Sequence, residues 1–132
     1  MDLLSQLLVL AGRILFAFIF IGAGFGHLRN MGHTAQIAAA SGAPFPKLSA
    51  WLASLLALLG GLSVAFGFMA QIGAVLLIVF LVPTTLLTHR FWGLDNPQEA
   101  NMQKVHFLKN AALLGGAVML LCNGSGPLSL TP

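Results

Sequence analysis

Residues 48–88 read LSAWLASLLALLGGLSVAFGF, then Met69, then AQIGAVLLIVFLVPTTLLT, with no charged side chain anywhere among them. A helix of about 20 apolar residues crosses the roughly 30 Å hydrocarbon of a bilayer, and the stretch divides at Met69 into two such lengths, 48–68 and 70–88. So short and chargeless a connection predicts a tight helical hairpin. Working outward, Leu3–Phe25 is a third apolar run, broken only by Arg13, and Val105–Cys122 a fourth, broken only by Lys109. The expected fold is an all-α membrane protein, an antiparallel four-helix transmembrane bundle.

Composition points the same way. Of 132 residues, 58% are apolar and 7% are charged, against roughly 25% charged in an average soluble domain; mean hydropathy is +0.92. These values exclude a disordered chain, a nucleic-acid-binding module and an ordinary soluble enzyme. The segments between the apolar runs are too small to bury cores of their own. Residues 1–132 are therefore read as a single transmembrane domain, whose sites must lie between helices or at their ends.

The net charge of +3 fits attraction to anionic lipid headgroups. Arg29, Lys47, Arg90 and Lys104 all fall in the loops after the first and third runs, whereas the termini and the Met69 turn carry no Lys or Arg. The positive-inside rule then predicts cytoplasmic loops and both termini on the periplasmic side. The start Met1-Asp2-Leu3 lacks the basic segment of a signal peptide. The lone Cys122 excludes an intramolecular disulfide and a C-x-x-C redox shuttle, and reads as a small hydrophobe.

Small residues mark expected helix contacts: Gly22 and Gly26 as a GxxxG pair, Ala53, Ala57, Gly61 and Ala65 with Gly60 beside them, and Gly115 and Gly116 with Ala111 and Ala112. Thr34–Ala40 is expected to form two helical turns, capped by Thr34 and ended by Gly42, followed by a non-helical turn at Ala43-Pro44-Phe45-Pro46. Pro83 frees the carbonyl four residues earlier, so a kink is expected there. Trp51 and the Phe91-Trp92 pair suit an interfacial aromatic belt.

Polar side chains carry whatever chemistry there is. Arg13 costs about 2.5–3.5 kcal/mol at the centre of a membrane helix. Its side chain tilts toward the N-terminus and toward Gln6; it either snorkels to neutral partners or faces a polar cavity or ligand. Arg13 lies some 22 Å from the loop-bearing end, at 1.5 Å per residue, too deep to share a compact site with Lys109. At that end gather His27, His89, His106, Lys109 and Asn110, with Trp92 at the rim. A few convergent polar groups and aromatic walls suit a quinone ring or a lipid headgroup. The four histidines, His33 included, lack the spacing of a zinc site, so no metal is expected. Neither a Ser-His-Asp set nor a pair of carboxylates is placed for acid–base work.

Several fragments, in order along the chain, resemble the DoxX family. They are Gly12-Arg13 with Phe20 and Gly24, Ser41-Gly42-Ala43-Pro44, Gly60-Gly61, His89-Arg90-Phe91-Trp92, Gln103 with Phe107-Leu108-Lys109-Asn110, Gly115-Gly116 and Gly124-Ser125-Gly126. The resemblance implies a four-helix protein of the bacterial inner membrane, related to subunits of quinone-linked sulfur oxidoreductases and to proteins tied to redox stress. The family often has a glutamate where Ala57 stands, an aspartate where Thr131 stands and a lysine at His27. Without that glutamate the chain loses a membrane carboxylate that could handle protons. The favoured reading is a non-catalytic subunit or scaffold that binds quinone or lipid and recruits a soluble or membrane redox partner, with a homodimer as a further expectation. A quinone- or small-molecule-linked oxidoreductase and a small transporter are the alternatives.

Overall fold

A computed structural model describes residues 1–131. It has five helices: α1 (Leu3–Arg29), α2 (Met31–Ala40), α3 (Pro46–Phe66), α4 (Ala70–Thr88) and α5 (Pro97–Asn123). Four of them, α1, α3, α4 and α5, are long and apolar enough to span a membrane. No strand occurs among the described residues. Helix α1 starts where the Asp2 carboxylate accepts from the Ser5 amide at 2.8 Å, a standard N-terminal cap. The α3–α4 hairpin closes over Gly67–Met69 rather than at Met69 alone. Gly67 and Met69 both take left-handed backbone angles, and the Ser63 hydroxyl donates to the Phe68 carbonyl at 2.6 Å.

The outer helices exceed the apolar runs. Helix α1 continues to Arg29, and α5 begins at Pro97 rather than near Val105. The Asn96 side chain accepts from the amides of Gln98 and Glu99, and Pro97 at the first helical position needs no partner for an amide it lacks. That cap starts the helix two turns before the hydrophobic stretch. Similarly, α2 begins at Met31, so Thr34 lies inside it and does not cap it; its hydroxyl donates back to the carbonyls of His27 and Asn30 at 3.0 Å each. Pro83 sits within α4 without interrupting it.

Glycines set the closest approaches. A Cβ on Gly24 would lie 2.6 Å from the Leu58 amide nitrogen and 2.8 Å from the Ser54 carbonyl, so α1 and α3 meet backbone to backbone there. On Gly61 it would lie 2.9 Å from Ile21, on Gly60 2.8 Å from Leu77, and on Gly116 2.8 Å from the Phe16 ring. Gly22, Gly26 and Gly115, expected as contact positions, have nothing within 4 Å of an added Cβ; Gly24 takes the place of the GxxxG pair within the chain. The core joins Ala17, Phe20, Ala57, Val64, Leu77, Phe80, Leu81 and Ala117. Ala57 is wholly enclosed there, at 0% exposure. Large apolar side chains on the outside, such as Leu15 and Phe18, are more than 70% exposed, as a bilayer solvent permits.

Each spanning helix packs on the next, α1 on α3, α3 on α4 and α4 on α5, and α2 lies against α1 and α3. The bundle thus has a loop end, with α2 and residues 89–96, and a turn end, with Gly67–Met69 and both termini. A strap after α5 closes the turn end. Arg13 is only 4% exposed. Its guanidinium donates to the carbonyls of Ser125 (2.9 Å), Pro127 (3.0 Å) and Leu128 (2.9 Å) and to the Ser129 hydroxyl (2.7 Å). Gln6, expected near Arg13, donates instead to the Met1 carbonyl. Beyond Ser129, the amides of Leu130 and Thr131 donate to the Phe66 and Gly67 carbonyls, and the Thr131 hydroxyl accepts from the Met69 amide at 2.7 Å. A charged donor inside the bundle thereby gains neutral acceptors, which its burial requires.

Candidate functional site

At the loop end the helices part to leave a cleft of about 560 Å³, within the usual range of small-molecule sites, about 300–1,000 Å³. All five helices line it. Its deep walls are apolar: Ile19 and Phe20 of α1, Leu52 and Leu56 of α3, Val79 and Phe80 of α4, and Leu113 of α5. Its polar end carries His27, Thr34, Thr84, Thr88, His89, Lys109 and Asn110. The lining includes no acid and no cysteine.

Four of the six expected ligand residues, His27, His89, Lys109 and Asn110, therefore face one cavity, brought from three helices far apart in sequence. His106 and Trp92 do not line it. The His106 ring stacks on His89, with centroids 5.0 Å apart and planes at 29°. Trp92 is half exposed and packs edge-on against Phe91 and Phe107 at 5.3 and 5.9 Å, an aromatic knot beside the mouth. Arg13 is absent from the lining; its two terminal nitrogens bond the strap at the turn end. Among the described residues, no group of three or more His, Cys, Asp or Glu is placed to hold a metal.

Second partners fix the polar groups. The Asn110 carboxamide NH₂ donates to the buried Thr85 hydroxyl at 2.9 Å, tying α5 to α4 one turn below His89. His89 Nδ1 lies 2.9 Å from the Gln103 carboxamide oxygen. That oxygen only accepts, so Nδ1 bears the proton and Nε2 is left as an acceptor. Burial holds the His89 imidazole below its ordinary pKa, helped by the nearby His106 and Lys109, while the Gln103 bond works the other way. The ring is thus kept neutral beside a cation.

The sequence match fits this architecture. Residues 8–90 match the DoxX family model, covering α1 from Leu8 onward, α2, α3, α4 and His89. The chain belongs to the DoxX family. It is 30% identical over 123 residues to the inner membrane protein YphA of Escherichia coli K12, covering 93% of this chain and 87% of YphA. It is 32% identical over 130 residues to the inner membrane protein YqjF of the same organism, covering 98% and 94%. No solved structure matches the chain. With four spanning helices and this kinship, the protein is an integral inner-membrane member of the DoxX family.

Sequence reasoning missed two parts of the site. Helix α2 walls the cleft through Thr34, Ile37 and Ala38; its run of small apolar residues was legible, but not the side on which it docks. Thr84 and Thr88 also line the cleft. Their spacing of four along α4 puts them on one face, a signal available in the sequence and overlooked beside Pro83.

Proposed function

We propose that this DoxX protein is a non-catalytic membrane subunit that holds an amphiphilic molecule, a quinone or a lipid, in the loop-end cleft and presents it to a redox partner. The cleft itself carries the proposal. Its apolar walls would take a hydrocarbon tail, and its polar end gathers an ammonium, two imidazoles and a carboxamide around a head group. A subunit that binds without reacting is favoured by the lining, which supplies no carboxylate or thiol, and by the enclosed Ala57. Transport is less well supported: a route across the membrane would have to pass the packed layer of Phe20, Leu77 and Leu81 and the strap held by Arg13. By the positive-inside rule the cleft mouth faces the cytoplasm, where a soluble partner would meet it.

Mass spectrometry of the protein purified with its native lipids tests this reading. A small molecule retained by the parent and lost in Ala23→Phe, which fills the cleft from α1, is the expected result. Equal retention by a folded Ala23→Phe would remove the cleft as the binding site.

A further inference from the structure

The polar end of the cleft has a definite donor and acceptor pattern. Gln103 obliges His89 to donate through Nδ1, and the stacked His106 ring holds its plane, so Nε2 is the nitrogen left over and it accepts. Thr85 takes a hydrogen from the Asn110 NH₂, which orients the carboxamide and leaves its oxygen as a second acceptor. Lys109 beside them only donates. His27, across the cleft on α1, has no such fixing bond and can take either role. The head group therefore meets two neutral acceptors and one cation, no acid, and beside them His27 and the Thr84 and Thr88 hydroxyls, which take either role.

A head built only of carbonyls or fully ionised oxygens would pair with Lys109 and leave both acceptors desolvated and unpaired, the costly outcome in a low-dielectric site. A quaternary ammonium would satisfy neither acceptor and would be repelled by Lys109. A pair of hydroxyls satisfies all three, each donating its hydrogen to one acceptor while a lone pair faces the ammonium.

Building on the reading of the cleft as an amphiphile site, we propose that it selects the hydroxyl-bearing form of its ligand: a head group that donates O–H bonds to His89 Nε2 and the Asn110 oxygen and turns an oxygen toward Lys109. Two membrane molecules present that chemistry, a lipid hydroquinone and a phosphoglycerol headgroup.

The test uses four probes on the purified protein, read by native mass spectrometry: a long-chain hydroquinone kept reduced under anaerobic conditions, its quinone, phosphatidylglycerol, and phosphatidylmethanol with the same acyl chains, which keeps the phosphodiester charge and lacks the hydroxyls. At least one hydroxyl-bearing probe should bind about tenfold or more tighter than its counterpart, the selectivity expected for a site that otherwise strands a buried acceptor; the pair showing it identifies the source. His89→Phe, which keeps a stacking ring and removes one of the two acceptors, should cut the preference at least about threefold, read as the ratio of the two affinities within each pair. Gln103→Leu, outside the cleft, frees the tautomer and should act in the same direction. Equal binding within both pairs, or a preference undiminished by His89→Phe, overturns the inference and leaves the amphiphile site standing. Failure of all four probes to bind removes the amphiphile site itself.

Discussion

Arg13→Ala should unfasten the turn end of the bundle. The substitution deletes four hydrogen bonds from a charged donor, three to strap carbonyls and one to the Ser129 hydroxyl. Bonds to charged groups contribute about 1.5–3 kcal/mol each, and the lower figure applies here because a released strap can pair its carbonyls with water. Against this loss of about 6 kcal/mol stands the roughly 3 kcal/mol no longer spent on keeping an arginine in the membrane. The net destabilisation is then about 3 kcal/mol, a fall in Tm on the order of 10 °C for a chain of this length. Arg13→Lys should lie between, since an ammonium keeps the charge but lacks the planar fork that spans Ser125 and Leu128 together. Thermal unfolding in detergent measures the first effect. Hydrogen exchange measures the second: the Leu130 and Thr131 amides, bonded to Phe66 and Gly67, should exchange faster in the variant. Ligand retention should not change, because Arg13 does not line the cleft. A variant that melts within about 2 °C of the parent, with those two amides still protected, would refute the account of Arg13 as the anchor of the strap.

Gly24→Ala should destabilise the bundle by more than the 1–3 kcal/mol typical of overpacking, because its new methyl meets the α3 backbone at 2.6 Å; Gly22→Ala, with open space around it, should melt like the parent. Gly61→Leu should fail to purify as a folded protein, since even a Cβ there lies 2.9 Å from Ile21 and 3.1 Å from Phe20, and a normal melt would mean that α1 and α3 meet elsewhere. His89 gives a pH dependence whose sign is fixed: its folded pKa is lowered, first by burial, so the folded state resists protonation. Stability should be full above the unfolded value of about 6.5 and fall as pH drops through the folded pKa, and His89→Phe should flatten that slope in Tm-against-pH measurements. A reporter fused after the strap should be active in the periplasm, and activity in the cytoplasm would reverse the orientation argued from Arg29, Lys47, Arg90 and Lys104.

The four spanning helices were legible in the sequence because bilayer thickness demands a length of apolar residues that can be read without knowing any contact. The polar residues of the loop end were legible for the same reason: ionisable or amide groups in or beside such runs are too expensive to be casual. Which of them share a cavity was not. His27, His89, Lys109 and Asn110 meet only because α1, α4 and α5 are rotated and staggered as they are, and rotation depends on side-chain packing that a pattern of apolar residues leaves open. The glycines show this directly, since the GxxxG spacing of Gly22 and Gly26 pointed to one face of α1 and packing uses another, through Gly24. Arg13 shows it over the longest span. The sequence established that a guanidinium in a membrane helix needs neutral or polar company, and the nearest candidate on its own helix was Gln6. Only the tertiary structure supplied the partners, more than 110 residues away, because a strap that returns across the turn end brings its backbone carbonyls to Arg13, and backbone carbonyls leave no mark in a sequence.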